Sequence, residues 1–238
     1  MNPLLTLALP KGKLGQESLA LLAKIGWPGA GIDPDARALV HEFPEANKKY
    51  IFCRPTDVPT LVEYGAADVG MVGKDTLLEA SANVYELVDL QFGYCRLVLA
   101  VPAAFLGREE LACPERIDLL SFCQRWGQFR VATKFPRLAQ AFFREQGIPA
   151  EVIKLHGNIE LAPRVGLAQG IVDLVATGKT LRDNHLVAIR TIHESTARLI
   201  VNRVSYRLKY HQVQELVEAL KKALAAAGAR DGALGGSA

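Results

Sequence analysis

Short apolar runs separated by segments with helical spacing recur along most of this 238-residue chain, and that rhythm restricts the fold to layered α/β architecture. Residues 4–9 read as a buried strand. The Lys11-Gly12-Lys13 turn then opens a helix with Leu14, Ser18, Leu22 and Ile25 on one face, stopped by Gly26. Residues 50–53 form a second strand, followed by Arg54-Pro55 and a helix with Pro59 in its first turn, capped by Thr56 or Asp57 with Asp57 favoured. Residues 68–72 form a third strand. Two strands, 84–90 and 96–101, then follow with no helix between them, a change of rhythm that marks a crossover between domains. Beyond it the pattern predicts a helix over 115–126, a strand over 130–133, a helix over 137–146 ended by Gly147, a strand over 152–155 and a helix over 160–168. Strands at 186–192 and 197–201 are expected to return to the first half. A helix over 205–227 carries the apolar stripe Val213, Leu216, Val217, Leu220 and Leu224, with Gly228 at its end and a frayed tail over 232–238.

Ile171-Val172-Asp173-Leu174-Val175-Ala176-Thr177-Gly178-Lys179-Thr180-Leu181 carries the clearest chemical signal. An apolar strand with one acid runs into a small glycine turn, where the N–H groups of Gly178, Lys179 and Thr180 can converge on an anion. A P-loop is excluded by counting, because Asp173 stands where that motif needs its first glycine. Acid followed by Thr-Gly-x-Thr suits a ribose 5-phosphate, with phosphate in the loop and sugar hydroxyls near the carboxylate; an ordinary strand-to-helix turn is the competing reading. Residues 65–74 echo residues 170–179, with the same spacing from Asp to Gly-Lys, which points to two similar lobes.

Charge and cysteines narrow the classes. A net charge of +3 without a long basic run gives no footprint for nucleic acid. No stretch approaches the roughly 18 to 20 apolar residues of a membrane span, and the N-terminal residues do not read as a signal peptide. Cys53, Cys95, Cys113 and Cys123 are irregularly spaced and the five histidines show no ligand spacing, so a cytoplasmic chain with reduced thiols and no protein-bound metal is expected.

Seven segments, in order, resemble the motifs of the ATP phosphoribosyltransferase family: residues 9–13, 54–59, 68–75, 92–96, 132–136, 157–163 and 173–181. The resemblance runs from about residue 4 to residue 202 and departs at Asn158, where Ser is expected, and at Lys13, where Arg is common. It implies transfer of the phosphoribosyl group of phosphoribosyl pyrophosphate to N1 of ATP with release of pyrophosphate, the first step of histidine biosynthesis. It also implies two lobes like those of type II periplasmic binding proteins, with an active-site cleft between them. Lobe I is assigned to residues 1–94 and 184–206, lobe II to 95–183, and the C-terminal helix and tail to 207–238. By the resemblance, Lys11, Arg54, Glu160 and Asp173 are the catalytic candidates. Asp173, Ala176, Thr177, Gly178, Lys179 and Thr180 are expected to bind phosphoribosyl pyrophosphate, and Lys11, Gly12, Arg54, Gly73 and Lys134 to bind ATP. Magnesium is expected to arrive bound to substrate. Asp75 is read either as a cap or as a ligand.

The chain length implies the short form of the family, a homodimer within a hetero-oligomer whose regulatory subunit resembles histidyl-tRNA synthetase. A solute-binding protein or a regulator's effector lobe would share the fold, but the secretion signal of the one and the DNA-binding head of the other are not evident. A type I phosphoribosyltransferase would share the Thr-Gly-x-Thr loop but has a single sheet.

Overall fold

The computed structural model describes residues 4–234 and divides into two compact units, 1–93 with 196–238 and 94–195. In the first unit, β1 (Leu5–Pro10), β3 (Lys48–Cys53) and β4 (Val69–Gly73) are parallel. β11 (Ala197–Val201) runs antiparallel to β4, and β5 (Tyr85–Asp89) and β2 (Val40–Phe43) close the edges in the order β2-β3-β1-β4-β11-β5. In the second unit, β8 (Ala150–Lys154), β7 (Phe129–Thr133) and β9 (Gly170–Val175) are parallel. Antiparallel β6 (Cys95–Pro102) and β10 (Leu186–Ser195) complete the order β10-β6-β9-β7-β8.

The sequence echo is therefore a topological one. β4 and β9 occupy the same place, each between a parallel neighbour and an antiparallel one. The chain crosses units after Gly93, as the missing helix between two strands implied, and crosses back at Thr196. One strand departs from expectation. Residues 186–192 were assigned to the first lobe, but β10 pairs with β6 over its whole length in the second sheet, and only β11 returns. Both strands are apolar enough for either sheet, so composition did not separate them.

Strands buried on both faces need cover on both, and helices supply it. Leu5, Leu7 and Leu9 of β1 share a core with Leu21 and Leu22 of α1 (Lys13–Lys24) and Val213, Leu216 and Leu220 of α10 (Tyr210–Leu234). On the opposite face, Ala8 and Val72 meet Val58 and Val62 of α2 (Val58–Glu63) and Leu77 of α3 (Lys74–Ala80). In the second unit, α5 (Leu119–Gln124) and α6 (Pro136–Glu145) cover one face, with Phe122, Phe129 and Phe143 in a chain of ring contacts. Residues of α7 (Leu161–Arg164) and α8 (Lys179–Asp183) cover the other.

The helical expectations held unevenly. α6 starts at Pro136 and stops before Gly147, whose φ of +66° suits glycine. The helix predicted over 160–168 shrinks to the four residues of α7, and that over 115–126 to α5, preceded by a short helix, α4 (Arg108–Ala112). The C-terminal segment is two helices, α9 (Arg203–Leu208) and α10, and α10 continues through Gly228. Its stripe belongs to the first unit's core, so the segment is no separate piece. Residues 235–238 of the expected tail lie outside the described residues.

One buried polar cluster fastens α9 and α10 to the first sheet. Asp68, 6% exposed, accepts the N–H of Thr6 at 2.8 Å, the hydroxyl of Ser205 at 2.7 Å and the ammonium of Lys209 at 2.5 Å. Lys209 also donates to Leu4 O at 2.7 Å. Asn202 caps α9 through the N–H groups of Val204 and Ser205 while its amide donates to Val62 O and Glu63 O. Removing Lys209 would leave a carboxylate buried and uncompensated. Lys209→Met should thus cost about 3 kcal/mol in urea denaturation, and adding Asp68→Asn should recover part of that loss. A wild-type midpoint for the single variant would show that the cluster carries no net stability.

Candidate active site

Parallel strands place their polar termini together. In the second unit Thr133 of β7 pairs with Lys154 of β8 and Val172 of β9, so Lys134 and Asp173, the next residues, follow side by side at the carboxyl edge. Ligands in open α/β sheets bind outside that edge. Here lies a cavity of about 260 Å³, lined by Glu160, Ile171 and every residue from 173 to 181. Buried Leu181 anchors α8 in the apolar layer below while Lys179 and Thr180 remain exposed.

Gly178 sets the turn. Its φ of 73° and ψ of 5° are left-handed, a conformation that costs a β-branched residue dearly. α8 begins at the next residue, and the first N–H groups of a helix have no acceptor within it. The loop thus offers donors to an anion.

Asp173 is half-buried, and its Oδ1 accepts the N–H of Leu174 at 2.9 Å. Burial raises its carboxyl above the ordinary aspartate range and Glu160 adds to the rise, while the Leu174 N–H and Lys134 oppose it. The two carboxylates therefore share one field, and a cation or a set of hydroxyl donors at the cavity would relieve both.

The first sheet has its own polar edge. Pro10 pairs with Cys53, and the Lys11 N–H donates to Cys53 O at 2.9 Å, so Lys11 and Arg54 emerge together beside the end of β4 at Gly73. Gly12 adopts φ 75°, ψ −158°, open only to glycine, and donates its N–H to Asp35 Oδ1 at 3.0 Å. The Lys11 ammonium reaches Ala36 O at 3.3 Å, and Arg54 is exposed.

One expectation, the Asp57 cap, changes here, and two further side chains are engaged locally. Asp57 precedes α2 but makes no side-chain cap; it accepts the Thr56 hydroxyl at 3.3 Å. Asp75 is 4% exposed and folds back over Gly73, where a Cβ would stand 2.5 Å from its Oδ1, so Gly73 is needed for this close approach. Lys74, the counterpart of Lys179 in the echo, is tied into an ion pair with Glu86, which Arg198 also contacts. The two copies of the Gly-Lys turn differ in backbone: Gly178 is left-handed and its turn lines the cavity, while Gly73 is extended, with φ −63° and ψ 141°.

Two of the four thiols are held far from thiolate at neutral pH: burial pushes Cys53 up to about 11 and Cys123 up to about 12. Sequence reasoning passed over Arg182, whose Nη1 donates to Thr177 O at 3.2 Å from one turn into α8. The signal was present as an arginine four residues after Gly178, on the loop's side of the helix.

The comparisons with known proteins agree with this geometry. The family model described as HisG: ATP phosphoribosyltransferase matches residues 54–222. A protein of Moorella thermoacetica called ATP phosphoribosyltransferase is 60% identical over 220 residues, 92% of this chain and 93% of that protein. A chain of the ATP phosphoribosyl transferase (HisG:HisZ) complex from Thermotoga maritima superposes with a TM-score of 0.74 at 32% identity, covering 93% of this chain and 98% of that one. The periplasmic aliphatic sulphonate binding protein SsuA from Escherichia coli, at 13% identity and a TM-score of 0.58 over 97% of this chain and 76% of its own, shares the fold alone. With its family model matched over most of its length and a relative at this identity, the chain belongs to the ATP phosphoribosyltransferase family.

Proposed function

We propose that this chain transfers the phosphoribosyl group of phosphoribosyl pyrophosphate to N1 of ATP and releases pyrophosphate, the first step of histidine biosynthesis. One observation carries the reading: a carboxylate near the end of β9 and the left-handed glycine turn that follows line the same cavity, as a ribose 5-phosphate requires. The 5-phosphate takes the N–H groups of Gly178, Lys179 and Thr180, with Ala176 and Thr177 shaping the loop and the Lys179 ammonium balancing charge. Asp173 accepts the ribose hydroxyls, and Glu160 faces the same space. This binding fixes C1 of the ribose for attack.

Displacement at an anomeric carbon builds positive charge on the sugar and negative charge on the leaving pyrophosphate. The chain therefore supplies position and charge rather than a nucleophile of its own. Asp173 and Glu160, half-buried carboxylates, favour the cationic ribosyl group, while Lys11, Arg54 and Lys134 are assigned to the phosphates and Gly12 and Gly73 to close approach of ATP. Among the described residues no cluster of three or more His, Cys, Asp or Glu side chains could hold a metal ion by itself. The Asp173 and Glu160 pair suits a magnesium ion that arrives on phosphoribosyl pyrophosphate and keeps most of its waters. Magnesium, when bound, neutralises pyrophosphate oxygens.

The Thermotoga maritima relative belongs to a HisG:HisZ complex, which supports a hetero-oligomer with a HisZ-type regulatory subunit here; that this chain enters it as a homodimer and that the subunit resembles histidyl-tRNA synthetase are part of the proposal. Among the described residues no helix is long and apolar enough to cross a membrane; a cytoplasmic location belongs to the proposal through its small phosphorylated substrates.

Two outcomes follow. Because burial raises the Asp173 carboxyl, the folded protein is strained by holding that charge at neutral pH and relieved as pH falls through its raised value. Asp173→Asn should thus melt no lower than wild type at pH 7.5, with any gain fading as pH falls to about 4, while affinity for phosphoribosyl pyrophosphate drops roughly 10- to 150-fold, the weight of a hydrogen bond to a charged group. Calorimetric titration with wild-type affinity would remove Asp173 from the site. Histidine titration tests the partner: turnover of this chain alone should respond weakly, and adding the HisZ-type subunit should confer strong inhibition. Strong saturable inhibition of the isolated chain, noncompetitive with both substrates, would contradict this division of labour.

A further inference from the structure

Of the three N–H groups assigned to the phosphate, only that of Gly178 lies in a peptide unit that helical geometry does not orient. From Lys179 onward the amides belong to α8, and Gly178 O is already taken by the N–H of Arg182 at 3.1 Å. The Thr177–Gly178 peptide lies before the helix, between residues free of helical constraint. A half-turn about its flanking bonds would aim Thr177 C=O where the Gly178 N–H is wanted, and a carbonyl oxygen facing a phosphate repels it. The structure shows what holds this peptide in place: Arg182 Nη1 donates to Thr177 O at 3.2 Å.

A trans peptide points its C=O and its N–H in opposite directions, and no cis bond occurs among the described residues. Fixing Thr177 O on the guanidinium therefore fixes the Gly178 N–H on the other side. The same guanidinium stands 3.1 Å from where a Cβ on Gly178 would lie, so the arginine packs directly against the outer side of the turn. Asn184 braces the next stretch in the same manner, its Nδ2 donating to Thr180 O at 2.9 Å. Neither Arg182 nor Asn184 lines the cavity with the loop, so both act on it from behind.

We propose that Arg182 is a positioning residue that holds the Thr177–Gly178 peptide with its N–H toward the 5-phosphate of phosphoribosyl pyrophosphate; the proposal rests on the site reading above. It acts through the loop and makes no contact with substrate. Its loss therefore affects one substrate selectively: phosphoribosyl pyrophosphate binds more weakly because its cradle is no longer ordered beforehand, while ATP binding and the melting temperature are spared. A merely structural role would lower stability and move both substrates together.

The test compares Arg182→Met, which keeps the aliphatic stem, Arg182→Lys, which keeps a charged donor, and Gly178→Val, by calorimetric titration with phosphoribosyl pyrophosphate and magnesium and by steady-state kinetics in both substrates. Arg182→Met should weaken phosphoribosyl pyrophosphate binding roughly 3- to 10-fold, the weight of about one net hydrogen bond, with KM for ATP unchanged. Arg182→Lys should recover most of that loss, and Gly178→Val should abolish binding. Wild-type affinity in Arg182→Met beside a defective Gly178→Val would overturn the brace and leave the site standing. Undiminished affinity in Gly178→Val would overturn the site and the brace together. Equal rises in both KM values for Arg182→Met, with a lowered melting temperature, would reduce the residue to a structural one.

Discussion

Parallel strands buried on both faces have no room for polar side chains along their length, so chemistry collects where they end. In the second unit β7 and β8 stop in register while β9 runs on to Val175, which brings Lys134, just past β7, beside Asp173 without any long-range contact between their side chains being needed. The first unit repeats the arrangement with Lys11 and Arg54 after β1 and β3. Backbone pairing, rather than side-chain recognition, thus sets the spacing of these charged groups. Side chains then decide how each edge is used.

The paired Asp-to-Gly-Lys segments show how one spacing yields two outcomes. Asp68 precedes β4 and is consumed by Thr6, Ser205 and Lys209, while Asp173 lies within β9 with one close backbone donor and a carboxyl raised by burial. The first aspartate is matched by a cation and secures helices; the second is left with unmet charge facing a cavity. Perturbation without full compensation marks a place where a ligand completes the electrostatics. The same contrast separates Lys74, held by Glu86, from Lys179, exposed at the cavity.

Much of this was legible in the residues. Continuous apolar runs located most strands closely but missed the edge strand β2, whose Val40-His41-Glu42-Phe43 has no such run, and the absence of a helix between residues 90 and 96 located the first crossover. The Thr177-Gly178-Lys179-Thr180 turn was legible as a glycine turn leading from strand into helix, and it lines a cavity. What stayed hidden depended on partners distant in sequence. The sheet to which β10 belongs is decided by β6, some 90 residues earlier, and both candidate neighbours were equally apolar. Asp68 with Lys209, 141 residues apart, left no local trace, and Asp57 sits at a helix start without capping it. Arg182 was overlooked because its partner is a backbone carbonyl, which no side-chain pattern announces.

The central claim is that the loop after β9 is a phosphate cradle built from backbone donors. A crystal structure of the protein with phosphoribosyl pyrophosphate and magnesium tests it most directly. The expected result is 5-phosphate oxygens about 2.7 to 3.2 Å from the N–H groups of Gly178, Lys179 and Thr180, ribose hydroxyls on Asp173, and Thr177 O still turned toward Arg182. A bound substrate whose phosphates lie elsewhere, with this loop empty or its carbonyls facing the ligand, would contradict it.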